Sequence, residues 1–249
     1  EDPAFAPEVA GTEDAQGRAD EITAMLDRAL VVLQGMATAL DPTTQACAAW
    51  LREHRDRLAR QIVVLSQAGI GATHLRIHGD FHLGQVLLAQ TDAYLIDFEG
   101  EPARPLSERR AKTCPLKDVA GMLRSFDYAT ATVSRSEPHG AVAAAPEDGG
   151  GPPADSLQDR RSSLLAHFRS RATQAFMQGY HAAAAPELQL QPEREQALVQ
   201  AALIEKAAYE ICYEARHRPD WVTIPLCGLA ELARTQLMAV AVDHEEHRP

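Results

Sequence analysis

The sequence predicts a mainly helical fold that carries one small β-hairpin. Apolar residues recur at helical spacing along most of the chain, alanine is abundant, and aromatic residues make up only 5% of the sequence. Two short runs rich in β-forming residues, 86–88 and 94–96, flank the turn-like residues 89–93 and predict the hairpin. With 249 residues and 45% hydrophobic residues, the chain is long enough for one large domain or two small ones with a substantial core.

The composition argues against several kinds of partner. The chain has 24 Lys and Arg against 35 Asp and Glu, a net charge of −11, so we expect it to bind neither nucleic acid nor a membrane. Its 4 cysteines lie far apart and form no Cys-x-x-Cys pair, which is typical of a reducing compartment. No apolar run approaches the roughly 18 residues of a membrane span, and no signal peptide is visible. We therefore predict a cytoplasmic protein.

The N-terminal part of the chain predicts an arm followed by helices. Residues 1–20 are acidic and contain several Pro and Gly residues, so we interpret them as a linker or arm that precedes a domain over 21–249. The chain opens on Glu1 rather than on methionine, and we therefore expect it to begin inside a longer polypeptide. Helical spacing then predicts one helix over 21–40 and a second one that follows Pro42 and ends near Gly69.

The segment 76–102 carries the strongest functional signal. Asp80 precedes the first predicted strand and Asp97 follows the second, so the hairpin brings their two loops to the same end. An aspartate beside a substrate hydroxyl can orient that hydroxyl and accept its proton. A second aspartate and the amide oxygen of Gln85 are hard ligands that suit Mg²⁺ next to phosphate groups. The pattern therefore predicts phosphoryl transfer, with Asp80 as the base and with Gln85 and Asp97 as the metal ligands.

The motifs around these residues resemble those of kinase-like phosphotransferases. Segment 78–85 reads His-Gly-Asp-Phe-His-Leu-Gly-Gln, and segment 97–102 reads Asp-Phe-Glu-Gly-Glu-Pro. The first triplet is similar to the aminoglycoside phosphotransferase branch, and the fuller match is similar to maltokinase, including the form fused to trehalose synthase. Gln85 stands where the wider superfamily has asparagine, and maltokinases resemble this chain in that glutamine. The resemblance implies ATP as co-substrate, Mg²⁺ as cofactor, maltose as acceptor, maltose 1-phosphate as product and His82 as a substrate contact.

Residues 101–117 predict an ordered loop that is rich in Pro and Arg. Its cations could face phosphate near Asp97. These cations are Arg104, Arg109 and Lys112. In the helix that follows, we expect Asp118 and Arg124 to be ion-paired or to support the site from behind.

The helix predicted over 192–217 has two different faces. One stripe is apolar and includes Ile204, Ala207, Ala208 and Ile211. Lys206, Tyr209 and Tyr213 lie nearly opposite, and Trp221 follows the end of the helix. Aromatic rings stack on sugar rings and cations bond hydroxyl groups, but a second core layer with solvated cations explains the same pattern equally well.

The resemblance to maltokinase favours sugar binding by this face. It implies that Lys206 and Tyr209 bind the reducing-end glucose near Asp80. It also implies that Tyr213 and Trp221 serve the second glucose. The residues expected to support these contacts without touching the substrates are His78, Glu99 and Arg218.

The resemblance covers the C-terminal lobe of a kinase-like fold, which is α+β across the superfamily. Such enzymes also need an N-terminal lobe with a sheet, a loop over the phosphates and a lysine that reaches them, and nothing before Arg76 predicts these features. We expect the chain to be inactive alone, with that lobe, and in some proteins a trehalose synthase domain, as partners. Within the lobe, the low-complexity residues 134–156 predict a mobile surface loop.

Two other interpretations remain open. The chain could belong to another small-molecule kinase of the aminoglycoside or choline type. It could also be a non-catalytic sugar-binding or interaction module of a trehalose synthase fusion.

Overall fold

The computed structural model of the protein describes residues 2–102, 104–135 and 154–246. The helices are α1 (Thr12–Gly35), α2 (Pro42–Glu53), α3 (Arg55–Gln67), α4 (Leu106–Arg110), α5 (Leu116–Arg135), α6 (Ala154–Ala183), α7 (Pro192–His217) and α8 (Thr223–Glu246). The strands form two antiparallel pairs, β1 (Glu8–Val9) with β2 (Thr73–His74) and β3 (Val86–Ala89) with β4 (Asp92–Leu95). The prediction of a mainly helical fold with a small hairpin is thus confirmed, and β1–β2 is an additional pair that the sequence did not predict.

The chain divides into two compact units. The first comprises Glu1–Arg124 and Ala185–Pro249, and the second comprises Ser125–Ala184. In the second unit, the later part of α5 meets α6 through an edge-to-face contact of Phe126 and Phe176, with ring centroids 6.2 Å apart. Among the described residues, no helix has both the length and the apolarity that a membrane span requires.

The core of the first unit lies between α1, α2, α3, α7 and α8. The apolar stripe predicted on α7 is confirmed, because its members are fully buried against the other helices. Buried residues that form this core include Ile22, Leu26, Leu33, Leu51, Ile62, Ile204, Ala207, Ala208, Ile211, Leu226 and Leu229. Packing of this stripe fixes one face of α7, so the opposite face is available to the candidate site.

The N-terminal segment differs from the predicted arm. Helix α1 begins at Thr12, well before Glu21, and buries Ala15 and Ala19. The amide of Gly11 donates to the Asp14 carboxylate at 2.7 Å, which caps the helix start. Because small alanines permit close packing against α7, the acidic segment 12–20 folds as helix despite its polar composition.

Three other predicted boundaries also differ. The second predicted helix is two helices, α2 and α3, which meet at His54. The loop predicted over 101–117 contains the short helix α4. Of the predicted loop 134–156, residues 136–153 lie outside the described residues, and both ends belong to helices α5 and α6.

Candidate active site

The β3–β4 hairpin places the loops of Asp80 and Asp97 at the same end. The chain passes from Asp80 through a short helical turn into β3, and it leaves β4 directly into the Asp97 loop. The amide of Ile96 donates to the carbonyl of Gln85 at 3.0 Å, which closes this end of the hairpin. The local pairing of two adjacent strands is therefore sufficient to bring the two loops side by side.

His78 joins these two loops. Its Nε2 lies 2.8 Å from the carbonyl oxygen of Ile96, and since a carbonyl can only accept, Nε2 donates this hydrogen bond. The amide of Asp80 faces Nδ1 of the same ring at 3.4 Å. The rings of Phe81 and Phe98 flank His78, with centroids 5.5 and 5.0 Å away. The structure therefore places the ring of His78 between the two loops, and its supporting role stays a prediction.

Asp118 on α5 holds the loop that carries Asp80. Its carboxylate accepts from the amides of His78 at 2.7 Å and Gly79 at 2.9 Å. Burial raises the pKa of Asp118, although the two amide donors favour its charged form. Gly79 and Gly100 both have positive φ, and a Cβ on Gly79 would lie 3.3 Å from the Cα of Gly100. The Asp80 and Asp97 loops thus touch backbone to backbone.

Gln85 and Asp97 are the two residues that could hold Mg²⁺. The amide nitrogen of Gln85 lies 3.3 Å from a carboxylate oxygen of Asp97, and a half-turn of the amide presents its oxygen instead. Gln85 is buried and Asp97 is exposed with φ of 64°, a strained conformation that aspartate tolerates. Magnesium is commonly bound by a few protein oxygens together with water and phosphate. Among the described residues, no three His, Cys, Asp or Glu side chains are placed to hold one metal ion together. An ion at Gln85 and Asp97 would therefore take its other ligands from water and phosphate.

Asp80 faces two nitrogen groups. Lys206 places its ammonium 3.4 Å from one oxygen of the Asp80 carboxylate and 5.3 Å from the centre of the Tyr209 ring. The ring of His82 lies on the other side, with Nε2 3.9 Å from the second oxygen. Because Nδ1 of His82 accepts from the amide of Gly84 at 3.0 Å, Nε2 carries the ring proton. The structure therefore brings Asp80, His82 and Lys206 together.

A pocket opens beside Asp80 and is lined mainly by charged side chains. Besides Asp80 and Asp118, its polar lining consists of Glu101, Arg104, Lys117, Glu205, Lys206 and Tyr209. Burial, together with the neighbouring Glu101 carboxylate, raises the pKa of the Tyr209 hydroxyl. That hydroxyl is inaccessible to water, and the Glu101 carboxylate is its neighbouring hydrogen-bond acceptor.

Tyr213 and Trp221 lie outside this pocket. The ring of Tyr213 is 6.3 Å from that of Tyr209, one helical turn along α7, and its side chain is exposed. The guanidinium of Arg218 lies 4.9 Å from the centre of the Trp221 ring. Two hydrogen bonds of 2.6 and 2.9 Å hold Arg218 on the buried carboxylate of Glu214. Of the predicted sugar face, Lys206 and Tyr209 therefore line the pocket, Tyr213 is exposed one turn away, and Trp221 is partly exposed beside Arg218.

Of the other predicted residues, Glu99 and Arg104 follow Asp97 closely along the chain, whereas Lys112 lies at the N-terminal segment. Glu99 has an exposed side chain, and its carbonyl accepts from Arg109 at 3.2 Å. Arg104 turns into the pocket instead of extending into solvent. Lys112 bonds the carbonyl of Pro3 at 2.8 Å, so it is committed to the N-terminal segment.

Sequence reasoning did not identify Glu101, Lys117 and Glu205 as members of the site. A signal was present for Glu205, because its neighbours on the same side of the helix are alanines at 201, 202 and 208. A charged residue within an apolar stripe indicates a buried charge that needs a partner. No comparable pattern marks Glu101 or Lys117, because their positions in the pocket depend on how the chain folds in space.

Comparison with known proteins finds similarity to glucosamine kinases. No protein-family model matches the chain. The chain is similar to a glucosamine kinase of Streptacidiphilus jiangxiensis, with 26% identity over 167 residues, which are 67% of this chain and 33% of that protein. It is also similar to a glucosamine kinase of Mycolicibacterium smegmatis, with 29% identity over 201 residues, which are 80% of this chain and 44% of that protein. The chain thus spans less than half the length of these relatives.

Solved structures of glucosamine kinase share the fold. One of them, crystal form B, aligns with a TM-score of 0.67 and 22% identity, covering 91% of this chain and 47% of that chain. Another, in complex with glucosamine, ADP and inorganic phosphate, aligns with a TM-score of 0.67 and 23% identity, covering 91% of this chain and 46% of that chain. These alignments establish a common fold over nearly all of this chain.

Proposed function

We propose that this chain is the acceptor-binding catalytic part of an ATP-dependent sugar kinase. The observation that carries this proposal is the position of the Asp80 carboxylate, which lies at the pocket beside Lys206 and next to the loop of Gln85 and Asp97. A carboxylate next to a polar pocket and a candidate Mg²⁺ site is the arrangement that phosphoryl transfer to a hydroxyl requires. The similarity to kinases named for a sugar supports the same class of reaction.

The chain's own residues have separable roles in this proposal. Asp80 orients the acceptor hydroxyl and accepts its proton, while His78 and Asp118 hold the loop that carries it. Gln85 and Asp97 would hold Mg²⁺, which neutralises charge on the phosphates of ATP. These roles separate groups that act on the acceptor from groups that act on the nucleotide.

We infer maltose as the acceptor and maltose 1-phosphate as the product. The motif resemblance to maltokinase supports this inference, together with the ring of Tyr213 one helical turn from Tyr209 and the ring of Trp221 just beyond the end of α7, since aromatic rings suit a second sugar ring. Glucosamine is the second candidate, because both curated relatives are glucosamine kinases and because Glu101 offers a carboxylate in the pocket. The two acceptors differ in charge and in length, so the same assay separates them.

The exposed hairpin supports a further partner in this proposal. Leu87, Leu88, Tyr94 and Phe98 are each at least half exposed. An N-terminal kinase lobe that covers the hairpin would bury these side chains and supply the remaining ATP contacts. A fused trehalose synthase domain belongs to the same proposal, because it would supply maltose. We also propose a cytoplasmic location.

The test is an acceptor assay with phosphorus NMR. This chain, and the longest natural polypeptide that contains it, would be incubated with ATP, Mg²⁺ and maltose, glucose, glucosamine or kanamycin. We expect a sugar phosphate from the longer polypeptide, and a loss of at least about a hundredfold for Asp80→Asn, because a positioned base contributes that much. The matched control is Asp92→Asn at the other end of the same hairpin, which should retain activity.

Three outcomes would change the assignment. Equal activity of wild type and Asp80→Asn would show that Asp80 is not the catalytic base. Phosphorylation of glucosamine but not maltose would replace the acceptor. Sugar binding without turnover in any longer polypeptide would favour the non-catalytic module.

A further inference from the structure

A buried carboxylate with three cationic partners forms one wall of the pocket beside Asp80. The side chain of Glu205 is only 5% exposed, and it pairs with Lys117 at 3.1 Å, with Arg104 at 3.3 Å and closely with Arg18. We call these four residues the Glu205 cluster. Its members come from α1, from the loop that follows Asp97, from the start of α5 and from α7.

The electrostatics of the cluster favour a permanently charged Glu205. Burial alone would raise the pKa of this carboxyl, but Arg18, Lys117 and Arg104 together hold it well below its usual value. Burial also lowers the pKa of Lys117, and Glu205 offsets that effect only in part. A buried cation in such a position needs a nearby anion to remain charged. Glu205 therefore keeps Lys117 and Arg104 in place as charged groups.

The cations retain donors after they have paired with Glu205. An ammonium has three N–H donors and a guanidinium has five. Lys117 donates one hydrogen bond to Glu205 among the described side chains. Arg104 donates to Glu205 through one terminal nitrogen, while its other terminal nitrogen lies 3.7 Å from Glu108. Both side chains line the pocket and are still about a quarter exposed. The remaining donors are thus available to oxygen atoms in the pocket.

The charge balance of the pocket suits a neutral ligand. Asp118 is occupied by two backbone amides, and Glu205 is occupied by its cations. Asp80 is faced by Lys206. With Glu101 included, the pocket and the Glu205 cluster contain four carboxylates and four cations, which are Asp80, Glu101, Asp118 and Glu205 against Arg18, Arg104, Lys117 and Lys206. These charges largely offset one another, and a polyhydroxylated acceptor can use charged donors without bringing a charge of its own.

We propose that Arg104 and Lys117 donate hydrogen bonds to hydroxyl groups of the sugar acceptor and that Glu205 is the positioning residue that holds both. This proposal rests on the proposed function, because it assigns further acceptor contacts in the same pocket. It adds binding residues on the side of the pocket that faces α5 and the 101–105 loop. The contacts previously inferred from the motif lie on the α7 side.

Helix α7 itself offers the matched control. Glu210 lies five residues further along the helix, is also buried, and pairs with the buried Arg124 at 2.6 and 2.9 Å. The Arg124–Glu210 pair does not line the pocket. Loss of either glutamate removes a buried ion pair from the same helix, but only loss of Glu205 changes the groups that face the acceptor.

The experiment combines thermal unfolding with titration calorimetry of this chain. The ligand is maltose, with glucose and glucosamine for comparison, and the variants are Glu205→Gln and Glu210→Gln. We expect both variants to lower the unfolding temperature. Maltose binding is measured well below that temperature, where Glu205→Gln should weaken it by at least about tenfold, because charge-assisted hydrogen bonds are lost. Glu210→Gln should bind within about twofold of wild type.

A second variant keeps the test decisive if Glu205→Gln does not fold. Arg104→Gln removes one proposed donor from a partly exposed loop position, and it should also weaken maltose binding by about tenfold. Maltose affinity that is unchanged in Arg104→Gln, or equally reduced in both glutamate variants, would overturn the proposal and leave the sugar kinase assignment intact. If wild type binds none of the sugars, this chain has no acceptor site of its own, which overturns the proposed function and this inference together.

Discussion

The helical body and the loop–hairpin region of the first unit are stabilised in opposite ways. In the helical body (α1, α2, α3, α7 and α8), the central side chains of Ile22, Ile204 and Leu226 are completely buried. In the loop–hairpin region (76–102), Leu88 is 83% exposed, and order comes from a few polar contacts around His78. Stability thus resides in apolar packing, whereas the geometry of the site depends on individual hydrogen bonds.

This difference has a consequence for α7, which belongs to both environments. Its apolar face is locked in the core, while Lys206 and Tyr209 extend to the pocket. Variants in the helical body should therefore act on the free energy of unfolding, and variants in the loop–hairpin region should act on local geometry. Four measurements test this division.

The largest effect is expected from Glu205→Gln at neutral pH. Removing one partner of a buried ion cluster leaves uncompensated cations and should cost about 3–5 kcal/mol of unfolding free energy. The pKa of Glu205 is held far below its usual value of 4.5, so its contribution is fully present above that value and is lost only as the pH falls well below it. In urea denaturation, the difference in unfolding free energy between wild type and variant should be the same at pH 7 and pH 5, and it should be smaller in strong acid. A difference that closes between pH 7 and 5 would contradict the charged cluster.

A smaller, local effect is expected from Asp118→Asn. The asparagine amide would face one of the backbone amides of His78 and Gly79, and a buried N–H left unpaired costs about 2 kcal/mol. Hydrogen exchange at these two amides should accelerate more than exchange in the core of α7. Asp56→Asn on the exposed surface of α3 is the control and should leave exchange unchanged. Uniform acceleration across the protein would mean that Asp118 supports the whole fold rather than one loop.

Gly79→Ala should cost about 1–2 kcal/mol, because alanine at positive φ is strained. The added Cβ would also press on Gly100 at 3.3 Å. The control is Gly17→Ala, which adds a Cβ within α1 where no atom lies within 4 Å, and which should stabilise the protein by about 0.5–1 kcal/mol. Thermal denaturation of the two variants measures the expected loss of stability in Gly79→Ala and the expected gain in Gly17→Ala. Unchanged stability of Gly79→Ala would show that the two loops can separate without cost.

The smallest effect is expected from Leu88→Thr on the hairpin. Because the side chain of Leu88 is 83% exposed, its replacement should change the unfolding free energy by no more than about 0.5 kcal/mol. The same change at the buried Leu51 should cost about 3 kcal/mol, because it opens a cavity and buries a hydroxyl. Denaturation combined with light scattering measures stability and association together. A large loss at Leu88 would indicate that the hairpin is covered by a second copy in solution.

Local patterns predicted the parts of the fold that depend on near neighbours along the chain. The apolar stripe of α7 and the pairing of β3 with β4 both follow from periodicity within single segments, and both are present. The extent of α1 was underestimated, because Ala15 and Ala19 give a weak signal alone and matter only where another helix packs on them.

For the candidate site, the sequence by itself determined which central groups come together, while their roles stay a prediction. Asp80, Gln85 and Asp97 flank the two strands of one short hairpin, so their order along the chain also sets their relation in space. Only the tertiary structure decided the pocket wall. Arg18, Arg104 and Lys117 meet Glu205 from 187, 101 and 88 positions away along the chain, and no local pattern records such distances. The physical reason is that strand pairing and helix periodicity are local, whereas the burial of a charge depends on the packing of the whole unit.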